Sequence, residues 1–144
     1  MKIEIVSSSH HPLPAYATVG ASGMDLRAYI ETPITIMPLQ RVLVGTGLAI
    51  SLPVGYEAQV RSRSGLTFKQ GIMVLNSPGT IDSDYRGEIK VLLMNLSDQP
   101  FVVQNGDRIA QLVVAEYVSV QWHEVPALEE TARGAQGHGS TGIA

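Results

Sequence analysis

The 144-residue sequence contains no cysteine, and this absence excludes disulfide bridges, thiolate zinc sites and cysteine nucleophiles together. It also lacks a membrane segment, because no stretch approaches the roughly 20 apolar residues that a transmembrane helix requires. The first apolar run is interrupted by Glu4, so we expect a strand there rather than a signal peptide. A cytoplasmic location is the resulting expectation.

Basic charge is scarce as well. The sequence has 10 Lys and Arg residues against 13 Asp and Glu residues, a formal net charge of −3. This balance argues against a nucleic-acid backbone binder, which usually has a basic surface. Arg63, Arg108 and Arg133 nevertheless lie in motifs of glycine and small residues, and a planar guanidinium suits phosphate oxygens. The sequence therefore favours a small anionic ligand.

Long helices are also missing, because no segment keeps a helical period of apolar residues over about 12 positions. Short runs rich in Val, Ile and Leu instead predict strands at 2–6, 41–51, 56–60, 71–75, 88–96, 101–104 and 108–118. At most one short helix is predicted, near 66–70, and Asn105-Gly106 predicts a hairpin. This pattern indicates an all-β sandwich or distorted jelly-roll barrel. We expect one all-β domain over 1–128 and a flexible glycine-rich C-terminal arm over 129–144.

The most informative run is Gly-Thr-Ile-Asp-Ser-Asp-Tyr-Arg-Gly-Glu-Ile at 79–89. It sets the carboxylate of Asp82 on a short β segment, with the ring of Tyr85 three residues on. An acid beside an aromatic ring suits activation of a water against a ring-bearing substrate. A calcium-binding loop is the alternative interpretation of this run, but Arg86 stands where a third oxygen ligand belongs.

Two glycine-containing segments carry polar side chains that suit a ligand site. In Gly-Ala-Ser-Gly-Met-Asp-Leu-Arg-Ala at 20–28, a tight turn exposes Asp25, although an ordinary loop with a solvated aspartate also fits. In Arg-Ser-Arg-Ser-Gly-Leu at 61–66, the backbone of Ser64 and Gly65 lies beside Arg63, and a basic strand end is the alternative. A Walker loop is excluded, because no Gly-Lys-Ser/Thr follows.

Two later segments are ambiguous when each is taken alone. Gly-Asp-Arg-Ile-Ala-Gln-Leu at 106–112 places Gln111 among apolar residues, either as a backbone-satisfied core amide or as a ligand donor. Arg-Gly-Ala-Gln-Gly-His-Gly-Ser-Thr-Gly at 133–142 is glycine-rich and basic, a composition that by itself indicates disorder. Both segments follow the three segments above along the chain, and the five taken together favour the ligand-binding alternatives.

With all five segments in order, the sequence resembles the trimeric dUTPase family. The resemblance implies a homotrimer with active sites between subunits, which hydrolyses dUTP to dUMP and pyrophosphate with Mg²⁺. It also implies a role in limiting uracil incorporation into DNA and in supplying dUMP for thymidylate synthesis. No direct nucleic-acid or membrane partner is expected.

The resemblance also implies roles for individual residues. Asp82 would position and deprotonate the attacking water, while Tyr85 would pack on the deoxyribose and leave no room for a 2′-hydroxyl. Asp25 would contact Mg²⁺ indirectly, through water. The groups implied to contact the uracil edge are Asn76 and the backbone of Thr80 and Ile81. Lys90, on the strand that follows, is a weaker candidate contact. The residues implied to contact phosphate are Arg63, Ser64, Gly65, Gln111, Arg133 and Ser140, whereas Arg108 is expected to be structural.

Three positions depart from the family pattern. Ser62 stands where proline is usual and is expected to loosen the entry to its loop slightly. Gln136 replaces a glycine of the arm, and His138 replaces the phenylalanine that stacks on the base. Because imidazole has a smaller ring and titrates near neutrality, we expect arm closure to be weaker and pH-dependent.

Two alternative functions follow from these comparisons of motifs. A dCTP deaminase of the same fold requires a glutamate general base on the strand after the third motif, and Leu92 takes that place. A nucleotide-binding regulatory module without turnover is the second alternative. The intact Asp82, Tyr85 and Gln111 argue against it, whereas the changes in the arm keep it open.

Overall fold

The computed structural model describes residues 1–135 of the chain. Within that range the chain is almost entirely antiparallel β structure with one short helix, as the sequence predicts. The strands are β1 (Glu4–Ser7), β2 (Met24–Arg27), β3 (Ile34–Ile36), β4 (Arg41–Gly45), β5 (Leu48–Ser51), β6 (Tyr56–Arg61), β7 (Ile72–Val74), β8 (Gly79–Ile81), β9 (Lys90–Asn95), β10 (Phe101–Val103) and β11 (Arg108–Glu116). The helix α1 spans Ser64–Gln70.

The strands form a distorted jelly roll of small sheets. One sheet has the order β2-β11-β6-β8, a second has the order β4-β9-β7, and the pairs β1-β5 and β10-β3 extend the layers. Residues alternate between core and surface along β9, whose burial switches at every position from Lys90 to Asn95. The core is built from aliphatic side chains of all these strands, and the largest fully buried ones include Leu26, Ile36, Ile72, Ile89, Leu93 and Ile109.

The predicted hairpin at Asn105-Gly106 is wrong as a strand pairing, although the turn exists. Gly106 has a φ of 87°, and the Gln104 N–H donates to Asp107 Oδ2 at 2.7 Å across the turn. The two flanking strands then separate, because β10 pairs with β3 while β11 pairs with β2 and β6. A two-residue turn fixes a local reversal, but the partner of each strand is chosen by burial of its apolar face.

Other boundaries differ from the prediction for local reasons. The strand predicted at 41–51 is interrupted at Thr46-Gly47, where Gly47 has a φ of 69° that ends the extended backbone. The short strands β2 and β3 were not predicted, since three or four residues carry little periodicity. Helix α1 ends where Gly71 adopts the left-handed conformation, with a φ of 66°, and its N–H donates to the Thr67 carbonyl. Within residues 1–135, α1 is too short to cross a membrane, and no other helix is present.

Candidate active site

A pocket of about 270 Å³ lies between β8, the segment that follows it, and strands β4 and β9. The predicted nucleoside-contacting residues come together here. Those that line it are Asn76, Thr80, Ile81, Asp82, Tyr85 and Lys90. The apolar side chains of Leu43, Val60 and Leu92 complete the lining. The lining is therefore partly polar and partly apolar, which suits a flat heterocycle with polar edges.

Asp82 follows β8 directly and begins the turn that brings Tyr85 to the same wall. The Tyr85 N–H donates to the Asp82 carbonyl at 3.2 Å, which closes this turn. Among the described residues, no hydrogen bond or ion pair occupies the Asp82 carboxylate, and the residue is exposed. A free carboxylate at the rim of a pocket is available to accept a proton from water.

The orientation of Tyr85 is fixed from two sides. Its hydroxyl donates to the Glu88 carbonyl at 3.0 Å, and the side chain remains 45% exposed. Its ring lies so close to Gly87 that a Cβ added there would overlap it. The glycine is therefore required by the ring, and the open face of the ring is available for stacking.

Strand β8 presents its backbone to the pocket. It is the outer strand of the four-stranded sheet, paired on one side with β6, where Thr80 lies opposite Gln59. Among the described residues no strand pairs with its other side. The unpaired peptide groups of such a strand can donate and accept hydrogen bonds in the pattern of a complementary base.

A second group of predicted residues lies at β2, β11 and the start of α1. Arg63 Nε donates to Asp25 Oδ1 at 2.7 Å, and Arg108 Nη1 donates to Asp25 Oδ2 at 3.2 Å. Arg63 Nη1 also donates to the Arg108 carbonyl at 3.1 Å. Asp25 is thus a strand residue held between two guanidinium groups, and not the solvated loop aspartate that was the alternative. Arg108 has a contact with Asp25 that the sequence did not predict.

Two more residues of this group have defined surroundings. Gln111 is half-buried and donates through Nε2 to the Ser62 carbonyl at 2.9 Å, so part of its amide is satisfied by backbone. A Cβ at Gly23 would overlap the other side of this amide. Ser64 and Gly65 form the first turn of α1, whose N-terminus has no side-chain cap. Their backbone N–H groups are therefore open to an anion.

Ser62 behaves differently from its expectation. Its hydroxyl accepts the Val74 N–H at 2.9 Å and lies 3.4 Å from the Ser77 hydroxyl. Proline could not make these contacts, so the serine ties the loop to the end of β7 and the expected loosening is not what the contacts show.

Among the described residues, the two groups do not line one common pocket. The pocket lining includes neither Asp25 nor Arg63 nor Gln111. Arg133 lies in a described turn, closed by the Gly134 N–H and the Thr131 carbonyl at 2.9 Å. His138 and Ser140, together with Gln136, lie outside the described residues, so their predicted contacts stay predictions.

Sequence reasoning missed Glu88 as part of this site. It lines the pocket, and its carboxylate accepts two backbone N–H groups from the turn between β4 and β5. The only signal in the sequence is its place three residues after Tyr85. Nothing local indicates a partner about 40 residues earlier in the chain.

Comparison with known proteins agrees with this geometry. A sequence model of the dUTPase family matches residues 9–142. The deoxyuridine 5'-triphosphate nucleotidohydrolase of Finegoldia magna is 52% identical over 142 residues, which cover 99% of each chain. The Staphylococcus bacteriophage 80alpha dUTPase with dUPNHPP superposes with a TM-score of 0.88 at 22% identity, covering 99% of each chain. A mutant dUTPase of phage phi11 of S. aureus, described with a structural Mg(II) ion, superposes with a TM-score of 0.80 at 19% identity, covering 90% of this chain and 100% of that one.

Proposed function

The chain belongs to the dUTPase family and hydrolyses dUTP, and from this premise we propose how the described residues carry out the reaction. Asp82 accepts a proton from a water as that water attacks the α-phosphorus of dUTP. A bond forms between the water oxygen and the α-phosphorus, and the bond to the bridging oxygen breaks. Pyrophosphate leaves with the electron pair, dUMP remains, and the proton passes from Asp82 to solvent. The free carboxylate at the pocket rim is the observation that carries this proposal.

The pocket provides selection of both base and sugar. Uracil would lie against Leu43 and Leu92, with its polar edge on Asn76 and on the unpaired backbone of Thr80. A methyl group at C5 would be rejected sterically, which is worth about 1–3 kcal/mol. Cytosine reverses the donor and acceptor of that edge and would leave buried groups unpaired, a larger penalty. Tyr85 would cover the deoxyribose where a ribose carries its 2′-hydroxyl.

The second group of residues would hold the triphosphate. Asp25 fixes Arg63 through the 2.7 Å contact, so a planar donor is oriented before the substrate arrives. The first-turn N–H groups of α1 and the remaining N–H of Gln111 supply further donors for phosphate oxygens. These groups would stabilise charge on the departing pyrophosphate. Arg133 and Ser140 are proposed to complete this half of the site from the arm, and His138 is proposed to lie against the base.

Mg²⁺ fits this half of the site through water and substrate rather than through a protein cage. Residues 1–135 contain no group of three His, Asp or Glu side chains placed to hold an ion. Mg²⁺ keeps several waters and binds largely through phosphates in nucleotide sites, so a single carboxylate, Asp25, is a sufficient donor set. When bound, the ion neutralises phosphate charge. Asp25 would orient its waters while holding Arg63.

We propose a homotrimer in which the two groups of residues meet across a subunit boundary. Residues 117–128 follow β11 without forming a strand, and they expose large apolar side chains. Val118 is 87% exposed, Trp122 94% and Leu128 87%. Exposed apolar surface of this extent usually marks an interface. Light scattering should give three times the mass of the 15.5 kDa chain. A monomeric mass with full activity would contradict the assembly.

Pyrophosphate release from dUTP, dTTP, dCTP and UTP with Mg²⁺, for the wild-type protein and Asp82→Asn, tests the function. Release from dUTP alone, lost in the variant, is expected. Binding of dUTP without turnover would instead indicate the regulatory module. Uridine nucleotide formed from dCTP would indicate a deaminase, which the apolar Leu92 in the pocket disfavours. The domain boundary at 128 and the cytoplasmic location stay predictions.

A further inference from the structure

Glu88 lines the pocket, and its carboxylate is engaged by other groups of the protein. Its Oε1 accepts the Thr46 N–H at 3.1 Å and the Gly47 N–H at 2.8 Å. Its Oε2 lies 3.6 Å from Lys90 Nζ. Thr46 and Gly47 form the turn between β4 and β5, so the carboxylate joins two segments that are distant in sequence. Charge-assisted bonds of this kind are stronger than neutral ones.

The segment that Glu88 belongs to has few other attachments. Residues 82–89 lie between β8 and β9 and form no strand. Past Glu88, the Ile89 N–H donates to the Leu48 carbonyl at 2.7 Å, and Thr46 Oγ1 donates to the Ile89 carbonyl at 2.6 Å. These bonds fix the end of the segment next to β9. The ring of Tyr85 lies in the middle of the segment and depends on the Glu88 carbonyl, which accepts its hydroxyl at 3.0 Å.

The surroundings of this contact leave no spare room. A Cβ at Gly45 would lie 2.7 Å from Glu88 Oε1, and a Cβ at Gly87 would overlap the Tyr85 ring. Glycine at both positions therefore permits the carboxylate and the ring to occupy their places. The side chain of Glu88 is 36% exposed, and both of the backbone N–H groups that it accepts come from the same turn.

We propose that Glu88 is a positioning residue that sets the preference for deoxyribose over ribose. Its carboxylate fixes the segment to the β4–β5 turn, and its carbonyl fixes the Tyr85 ring to that segment. A ring held in this way cannot move aside for a 2′-hydroxyl. The inference rests on the proposed placement of Tyr85 against the sugar, and it assigns the rigidity of that placement to Glu88.

The test compares kcat/KM for dUTP with kcat/KM for UTP in three single variants and one double variant. In Glu88→Ala the ratio is expected to fall about tenfold, equivalent to about 1.4 kcal/mol. Glu88→Gln is the matched variant, because its amide oxygen can accept the same two N–H groups, and it should restore most of the ratio. Tyr85→Phe, which lacks the donor hydroxyl, should lower the ratio as Glu88→Ala does. The double variant should show no further loss, because both changes remove the same tether.

Two results would overturn the inference while leaving the function intact. The first is a wild-type preference for dUTP over UTP that Glu88→Ala does not reduce. The second is a double variant in which the dUTP-to-UTP ratio of kcat/KM falls by the product of the two single reductions. A wild-type enzyme that hydrolyses UTP as well as dUTP would overturn this inference together with the role of Tyr85. If Glu88→Ala does not fold, Gly45→Ala provides the same test. The added methyl group displaces the carboxylate, and an unchanged ratio there would also refute the inference.

Discussion

The Asp25→Asn variant tests whether the contacts of Asp25 with Arg63 and Arg108 serve catalysis or stability. In the wild-type protein each carboxylate oxygen accepts one guanidinium N–H, at 2.7 Å from Arg63 and 3.2 Å from Arg108. Asparagine keeps one acceptor oxygen but presents an amide donor in place of the other. At most one of the two contacts can therefore survive, and the direction of Arg63 is no longer fixed by two partners.

The expected magnitudes separate the two roles. The side chains of Arg63, Asp25 and Arg108 are 27%, 34% and 53% exposed, so solvent screens the ion pairs. Such pairs contribute about 0–1 kcal/mol each to stability. A loss of about 1 kcal/mol would lower the Tm by about 3 °C in a chain of this size. Misplacing a phosphate-binding group by about 1 Å can lower kcat/KM on the order of 100-fold. We expect a small change in Tm and a large change in kcat/KM.

The change in kcat/KM is measured by pyrophosphate release from dUTP over a range of Mg²⁺ concentrations. The change in Tm is measured by thermal unfolding. Asp98→Asn, at an exposed turn, is the matched control and should change neither quantity. A kcat/KM for Asp25→Asn within about twofold of the wild-type value would refute the assignment of Asp25 and Arg63 to the phosphates. A fall in Tm of about 10 °C would show that the contact is mainly structural.

Three further changes have defined outcomes. Gly23→Ala places a Cβ against the Gln111 amide and should lower kcat/KM for dUTP about tenfold, with little change in Tm. Asn95→Ala leaves buried groups unpaired, since Asn95 is 0% exposed and its Nδ2 donates to two carbonyls at 2.8 Å. Urea unfolding should show a loss of about 3 kcal/mol. The hydrogen bond from Tyr56 to Glu116, and the negative charge of Glu116, raise the pKa of Tyr56 above 10.0. The fold therefore favours the protonated phenol, and that stabilisation is lost as pH rises through the raised pKa. In Glu116→Gln an ultraviolet titration should show phenolate at lower pH, and an unchanged titration would contradict the cause.

Apart from Glu88, the polar residues of the pocket were predicted through the resemblance to the dUTPase family, and most of them belong to one continuous segment. Asn76, Asp82 and Tyr85 are close in the chain, and a short turn after β8 suffices to place them together. The existence of β9 could also be predicted, because the segment 88–96 is rich in Val, Ile and Leu. Residues that are close in the chain determine both features.

Contacts between distant segments could not be predicted in this way. The partners of Asp25 lie 38 and 83 residues away in the chain, and the turn held by Glu88 lies about 40 residues away. The failed hairpin at Asn105-Gly106 has the same origin, because sheet partners are selected by the whole core and not by the turn. Single-sequence patterns carry periodicity and turn chemistry, and neither specifies which side chain a carboxylate will meet.

The open edge of β8 has a consequence for the behaviour of the protein in a crowded solution. Unpaired strand edges attract the edges of other chains, and β proteins usually protect them against aggregation. The proposed recognition of uracil requires that edge to stay open, so another strand cannot pair with it. The charged side chains of Asp82 and Lys90 beside it discourage a second strand from pairing. In this proposal the bound nucleotide covers the edge of β8. We therefore expect the nucleotide-free enzyme to aggregate before the nucleotide-bound enzyme.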